Sequence, residues 1–125
     1  MHKLLLMSGA IFSGLSVALG AFGAHALKAL LEKHQRTDVF ETAVRYQFFH
    51  ALALILLGIL AQQMPHRFFT NAGYAFIVGI IIFSGSLYTL AITNIRWLGA
   101  ITPIGGAAFI VGWALMLLAI WGAKS

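Results

Sequence analysis

Four long apolar runs dominate the 125 residues of the chain and restrict what it can fold into. Only 9% of the residues are charged, whereas a soluble domain has about 25% and needs them to cover its surface. Each helical crossing of a membrane takes about 20 apolar residues. The runs therefore predict an all-α membrane protein, an antiparallel bundle of four transmembrane helices that forms a single transmembrane domain over residues 1–125.

The predicted spans cover about residues 4–26, 44–63, 68–93 and 103–122. The first resembles a signal peptide, because Lys3 precedes an apolar run. However, the 21 residues from Leu4 to Ala24 are more than a typical signal core contains. We expect this segment to remain as a transmembrane helix that continues to about Lys33.

Polar and proline residues predict where the later helices begin and end. Asp38 and Glu41 have the spacing of an N-cap residue and its partner, so the second helix should begin near Asp38. Pro65 cannot continue that helix and predicts a tight turn before the third span. Thr102 and Pro103 have the pattern of an N-cap followed by the first residue of the fourth helix.

The net charge of +5 indicates membrane-flanking residues that meet anionic headgroups. The chain has no basic patch of the kind that binds nucleic acid, so we expect no nucleic-acid partner.

Basic residues are more numerous on one side of the predicted bundle, which slightly favours both termini outside, although Lys3 ahead of the first span argues the other way. The two sets are Lys28, Lys33, Arg36, Arg45 and Arg96, and, beside the termini, Lys3, Arg67 and Lys124.

The first span has one lipid-facing arc and two stripes of small residues when residues are placed 100° apart. Small residues permit close helix contact in lipid, so two stripes predict two neighbours and a central position for the first helix. The arc is Leu4, Ile11, Leu15, Leu19 and Phe22. The stripes are Gly9, Ser13, Ser16, Gly20 and Gly23, and Ala10, Gly14, Ala18, Ala21 and His25.

Polar residues of all four spans fall at one depth, on the side of the 34–37 and 94–97 connections. The bundle should therefore have a polar half and a half that is nearly pure hydrocarbon. The candidate polar cluster comprises His25, Tyr46, Gln47, His50, Ser84, Tyr88, Thr89 and Thr102.

Two further sets of residues receive simpler interpretations. Glu41 and Arg45, at i and i+4, should form an interfacial ion pair. Trp97, Trp113 and Trp121 have the placement of ordinary interface or lipid-facing aromatics.

Four strings carry a family resemblance: GAFGAHAL (20–27), FETAVRYQFFHALALIL (40–56), FSGSLY (83–88) and TPIGGAAFIVGW (102–113). They resemble the bacterial "domain of unknown function 423" family, to which human transmembrane protein 256 also belongs. The resemblance covers all four spans in order and implies a four-helix inner-membrane protein. It marks His25, Tyr46, Gln47 and His50 as motif positions but implies no activity for them.

His25 and His50 allow three interpretations. The favoured one is that each imidazole makes hydrogen bonds between helices and fixes the first helix against the second. A proton or small-solute pathway is the alternative, with Tyr46 and Gln47 orienting the imidazoles. Metal binding is remote, because a protein metal site needs three or four ligands and only two imidazoles are in view. Haem needs only two ligands, but four short helices with Gly-rich interfaces leave little room for a porphyrin, so we expect no metal and no cofactor.

No Gly-rich phosphate loop, Ser/His/Asp set or carboxylate pair is present in the sequence, so we expect no enzymatic activity. The leading hypothesis is a structural or assembly component that joins a larger membrane complex or forms a homo-oligomer. The alternative is a transport or conductance module at the polar cluster, and a haem-binding or catalytic membrane protein is the third.

Overall fold

A computed structural model describes residues 2–123 of the chain, so Lys124, one of the charges beside the termini, lies outside the described residues. Residues 2–123 contain helices and no strand. The helices are α1 (His2–Ala26), α2 (Lys28–His34), α3 (Thr37–Gln63), α4 (Arg67–Thr93) and α5 (Thr102–Gly122), with a short 3₁₀ turn at Arg96–Ala100 before α5.

Within the described range, four helices are long and apolar enough to cross a membrane: α1, α3, α4, and α5 together with its 3₁₀ turn. This confirms the predicted all-α, four-helix transmembrane fold. The short α2 continues α1 beyond a bend at Leu27, where the Leu31 N–H still donates to the Leu27 carbonyl. The extension of the first helix beyond its span is therefore present, but it is bent.

The connections on one side of the bundle contact each other. The chain reverses at Gln35 and Asn94, which both have left-handed backbone conformations. Arg36 Nε donates to Asn94 Oδ1 at 3.2 Å, and His34 Nδ1 lies 3.0 Å from the Ala91 carbonyl oxygen. These contacts place the 34–37 and 94–97 connections on the same side, as the sequence predicts.

Two predicted caps are wrong. α3 begins at Thr37 and no side chain caps it, so Asp38 lies in the first turn, where its charge still favours the helix dipole. Thr102 is the first residue of α5 and its hydroxyl turns towards α4 instead of capping the helix. The turn after α3 lies where it is predicted, and it has a cap that the sequence did not reveal: His66 Nδ1 accepts from the Phe68 N–H at 3.1 Å.

The predicted central position of the first helix is wrong. α1 packs along α3 and touches α4 only near its own beginning, while α5 packs along α4. In the most apolar window of each helix, 44% of residues are buried in α3 and in α4 but only 17% in α1. The reason is that one small-residue stripe of α1 has a neighbour, with Gly9 close to the Ala51 carbonyl, and the stripe that contains Gly14 has none.

The hydrocarbon half of the bundle is present on the side of the α3–α4 turn. Its core draws on all four long helices, and among its buried members are Leu5, Leu57, Phe69, Phe76, Phe109 and Ala119. A smaller cluster of Leu31, Phe40 and Ala91 lies under the opposite connections. In sequence, each residue of the candidate polar cluster lies between a member of one of these hydrophobic clusters and a member of the other.

Two of the long helices contain a single π-helical turn, at Leu19–Gly23 in α1 and Ile80–Ser84 in α4. The Ala24 N–H bonds to the Leu19 carbonyl and the Gly85 N–H to the Ile80 carbonyl, five residues back in each case. Such a turn holds more residues than an α-helical turn. A uniform step of 100° per residue therefore does not hold across it, and side chains beyond it point elsewhere than the sequence pattern predicts.

Candidate functional site

The buried amide of Gln47 joins three helices. From α3, its Nε2 donates to the Phe12 carbonyl of α1 at 2.9 Å, and its Oε1 accepts from the Tyr88 hydroxyl of α4 at 2.7 Å. Gln47 is only 3% exposed. Because both ends of the amide are paired, burial in apolar surroundings leaves no large desolvation cost.

His50, one turn further along α3, uses both of its ring nitrogens. Trp113 Nε1 lies 3.0 Å from His50 Nε2, and His50 Nδ1 lies 2.8 Å from the Tyr46 carbonyl oxygen. An indole N–H only donates, so Nε2 accepts and the proton sits on Nδ1, from which it is donated to the carbonyl. The two bonds therefore select the neutral Nδ1–H tautomer and occupy the lone pair that a metal would need.

Aromatic rings enclose the His50 imidazole. It stacks on Phe109 with ring centroids 3.6 Å apart and meets Phe76 edge-on at 5.2 Å. Tyr46 stacks at 6.2 Å and belongs to the cluster through its ring and its carbonyl, while its side chain is 41% exposed. The imidazole is thus packed among α3, α4 and α5.

Two hydroxyl contacts hold α4 to its neighbours α3 and α5. Ser84, at the end of the π turn, is buried and donates to the Ala43 carbonyl of α3 at 2.8 Å. Thr102 of α5 places its hydroxyl 2.6 Å from that of Ser86. Thr89, by contrast, is exposed and bonds back to the Gly85 carbonyl of its own helix.

The structure separates His25 from the rest of the predicted cluster. His25 is exposed, and among residues 2–123 no hydrogen bond or ring contact joins it to His50. The prediction of a His25–His50 pair relied on uniform helical phase through α1 and on two packed stripes, and neither condition is met. Glu41 and Arg45 are also both exposed, and the described residues contain no ion pair between them.

Two adjoining clefts lie where α1 ends and α3 begins. One has a volume of about 310 Å³ and is lined by six residues, which are Gly20, Ala24, Phe40, Glu41, Val44 and Arg45. The second, of about 250 Å³, shares Ala24, Phe40 and Glu41 with the first and adds polar residues that include His25, Lys28 and Glu32. Neither of these two clefts is lined by Gln47 or His50, so the clefts and the buried network are separate features.

Sequence reasoning did not find Trp113 and Ser86. Trp113 follows Phe109 by four residues, so the helical period already placed it on the same face as the ring that stacks on His50. The interpretation as an ordinary lipid-facing aromatic missed its indole N–H, which needs an acceptor at this depth. Across the described residues, no group of three or more His, Cys, Asp and Glu side chains has the arrangement of a metal site.

A family model described as "Protein of unknown function (DUF423)" matches residues 19–106 of the chain. The chain belongs to this family. The matched range contains Gln47, His50, Tyr88 and the residues that line both clefts, but it ends before Trp113.

Relatives in the family are similar over nearly the whole chain. The UPF0382 membrane protein of Staphylococcus haemolyticus is 45% identical over 116 residues, which are 93% of each chain. The UPF0382 membrane protein YwdK of Bacillus subtilis is 43% identical over 118 residues, 94% of this chain and 95% of the relative. No solved structure was found to match. With its four apolar helices and these bacterial relatives, the chain is a multi-pass membrane protein of a family of unknown function.

Proposed function

We propose that the chain is a non-enzymatic structural or assembly component, which joins a larger membrane complex or forms a homo-oligomer. The bonding of Gln47 and His50 supports this proposal most strongly. Both side chains pair their donors and acceptors with partners inside the chain. A polar side chain that is paired in this way holds helices together in lipid, whereas binding a solute or moving a proton requires a group that is free to do so.

The outer face of α1 supplies a surface for association. Ala10, Gly14, Ala18 and Ala21 form its exposed stripe, and a Cβ at Gly14 would meet nothing within 4 Å. Small residues let the backbones of two transmembrane helices approach closely. A helix from a second copy, or from another membrane protein, fits this face.

The test is the mass of the native assembly in mild detergent. We expect the full chain to run with a second copy or with a stoichiometric larger partner, and Gly14→Ile to reduce that association. Leu15→Phe is the matched control, because Leu15 is exposed on the neighbouring lipid-facing arc. A wild-type chain that is monomeric in detergent, and that forms no crosslinked product in its own membrane, would contradict the proposal.

Transport through His25, Tyr46, Gln47 and His50 has less support from the geometry. His25 lies in a cleft that does not include His50, and His50 is 5% exposed among aromatic rings. Proton or solute flux in proteoliposomes separates the two hypotheses. Flux that is lost in His50→Gln while thermal stability stays unchanged would favour transport.

Haem binding through His50 has a specific obstacle. Its Nε2 lone pair accepts from Trp113, so axial ligation would first have to break that bond. Absorbance of the purified protein near the Soret band tests this alternative directly, and a band that scales with protein concentration would favour it.

We further propose that the protein lies in the bacterial inner membrane with both termini outside. The support is the larger number of basic residues on the side of the 34–37 and 94–97 connections. Reporter enzymes fused to the C-terminus, one active only in the cytoplasm and one only outside it, test the orientation. Activity of the cytoplasmic reporter would show that the C-terminus faces the cytoplasm and would contradict this orientation.

A further inference from the structure

The two clefts between α1 and α3 collect charged side chains of both signs. Lys28, Glu32, Glu41 and Arg45 line them, and all four side chains are exposed. Within residues 2–123 these side chains form no ion pair and no hydrogen bond with one another. Arg45 lines the first cleft, Lys28 and Glu32 line the second, and Glu41 lines both, so two positive and two negative charges border the adjoining clefts without neutralising each other by direct contact.

The clefts exist because α1 and α3 diverge towards this end. Near the start of α1, a Cβ on Gly9 would lie 2.7 Å from the Ala51 carbonyl oxygen, a contact too close for any side chain. Towards its end α1 approaches α3 less closely: few backbone contacts join Leu19–Gly23 to α3, and a Cβ on Gly20 would meet only a side-chain atom, Cγ1 of Val44 at 3.2 Å. The π turn at Leu19–Gly23 and the bend at Leu27 lie in this part of the chain.

The clefts lie at the edge of the hydrocarbon layer. α3 has 27 residues, which rise about 40 Å at 1.5 Å per residue. The hydrocarbon core takes about 30 Å of this length. With Gln63 at the far boundary, the first turns of α3 project into the headgroup layer, so Glu41 is at headgroup depth and Arg45 is near the boundary.

We propose that these clefts bind a phospholipid whose headgroup carries both a phosphate and a primary ammonium, as in phosphatidylethanolamine. Arg45 and Lys28 hold the phosphate, because guanidinium and ammonium groups donate charge-assisted hydrogen bonds to it. Glu41 and Glu32 accept from the lipid ammonium. This inference stands independently of the proposed function.

The apolar part of the first cleft fits the remainder of a lipid. Gly20, Ala24, Val44 and Phe40 line it beside the charged residues. Together these side chains form a short apolar groove at the boundary, beside the charged residues. An acyl chain can follow this groove while its headgroup stays among the charges.

The balance of charges distinguishes this lipid from others. An anionic lipid without an amine would satisfy Arg45 and Lys28 but leave Glu41 and Glu32 facing a negative headgroup. A choline headgroup has the right charges but no N–H to donate to a carboxylate. The carboxylates therefore favour the primary ammonium over both.

Native mass spectrometry of the full chain in detergent, with equal amounts of ethanolamine, choline and glycerol phospholipids added, tests the proposal. We expect the ethanolamine lipid to be retained preferentially. Removing one charged partner with Glu41→Gln or Arg45→Gln should weaken retention about tenfold, as the loss of a charged hydrogen bond predicts. Glu41→Lys should shift the preference towards the anionic glycerol lipid.

Asp38→Asn and Lys33→Gln are the matched controls, because both residues are exposed near the clefts but line neither of them. Both variants should retain the ethanolamine lipid as the wild type does, and all variants should keep the wild-type unfolding temperature. Equal retention of the three lipids by the wild type would overturn the proposal, as would control variants that lose the lipid as strongly as Glu41→Gln does.

A water-soluble headgroup analogue identifies the source of the ligand. Glycerophosphoethanolamine, added at the concentration of the lipid, should not displace it, because the analogue lacks the acyl chains that the apolar groove contacts. Displacement at that concentration would overturn the lipid proposal in favour of a free polar ligand.

Discussion

Helices α1 and α4 are alike in local structure but differ in how much of their surface is packed against other helices. Each is a long apolar helix with one π turn in its second half. In α4 the π turn is packed, with Ile80 and Ser84 buried and Ser84 bonded to the Ala43 carbonyl. In α1 none of the residues Leu19–Gly23 is buried. The same local irregularity therefore lies in the packed interior in one helix and borders an open cleft in the other.

The number of neighbours explains this difference. α4 has α3 on one side and α5 on the other, and a Cβ at Gly79 would run into Phe109 of α5. α1 has α3 alone along most of its length. Residues of α4 are therefore constrained by two partners, while the outer face of α1 is available to lipid or to another protein. Substitutions in the two helices should therefore change the free energy of unfolding by different amounts.

The largest effect should come from Gly105→Val, which would break the contact between α5 and α4. A Cβ on Gly105 would lie 2.7 Å from Phe83 Cα, and backbone atoms cannot move aside as a flexible side chain can. We expect the free energy of unfolding in detergent to fall by about 3 kcal/mol. Gly106→Val is the control, since its Cβ would meet Phe83 Cδ2 at 3.9 Å, an ordinary contact; similar losses in both variants would contradict the packing argument.

Gln47→Leu should have the next largest effect, because it removes the amide that ties both α1 and α4 to α3. It deletes the bonds to Phe12 and Tyr88, and interhelical hydrogen bonds in membranes contribute roughly 0.6 to 2 kcal/mol each. We expect a loss of about 1 to 2 kcal/mol in equilibrium unfolding. Tyr88→Phe should cost less, and the double variant should be non-additive; strict additivity would mean that the two side chains act independently.

Ser84→Ala should have a smaller effect, since it removes one hydrogen bond between α4 and α3. A loss of about 0.6 kcal/mol is expected from the average value of such bonds. Thr89→Val is the control, because the exposed Thr89 hydroxyl bonds only within its own helix. Thermal unfolding in the same detergent measures both, and an equal loss in the control would show that the contact with Ala43 contributes nothing.

Gly14→Ala should have the smallest effect and the opposite sign. Nothing lies within 4 Å of the added Cβ, so the monomer should gain about 0.5 kcal/mol from the better helix propensity of alanine. At Gly9, on the other face of α1, the same substitution should destabilise, because its Cβ would lie 2.7 Å from the Ala51 carbonyl oxygen. Equal responses at the two positions would remove the distinction between the packed and open faces of α1.

The sequence predicts the parts of this fold that depend on composition and local chemistry. Apolar length locates the four spans, and Pro65 locates the turn after α3. The lipid-facing arc of α1 is also largely right, with Ile11, Leu15 and Phe22 exposed. These features follow from how each segment interacts with lipid or water and need no knowledge of its neighbours.

Features that depend on which helices meet were not predictable in the same way. Two stripes on α1 permitted two neighbours, and only the folded bundle shows that one remains open. The polar residues of α3 and α4 were placed at one depth correctly enough for Gln47 to meet Tyr88, yet the partner of His50 proved to be Trp113. The π turns leave no mark on the hydrophobic pattern, so the position of His25 relative to His50 could not follow from periodicity.

The order of packing along the chain has a consequence for biosynthesis. Among the helices made earlier, each long helix packs chiefly against the one made just before it: α3 against α1, α4 against α3 and α5 against α4. Helices that insert one after another from a ribosome can associate once they are in the bilayer, and here each newly inserted helix finds a packing partner already in place. No early helix therefore has to remain unpacked until a late helix is made. α1 is inserted first and packs on one side only, so its outer face stays uncovered throughout synthesis.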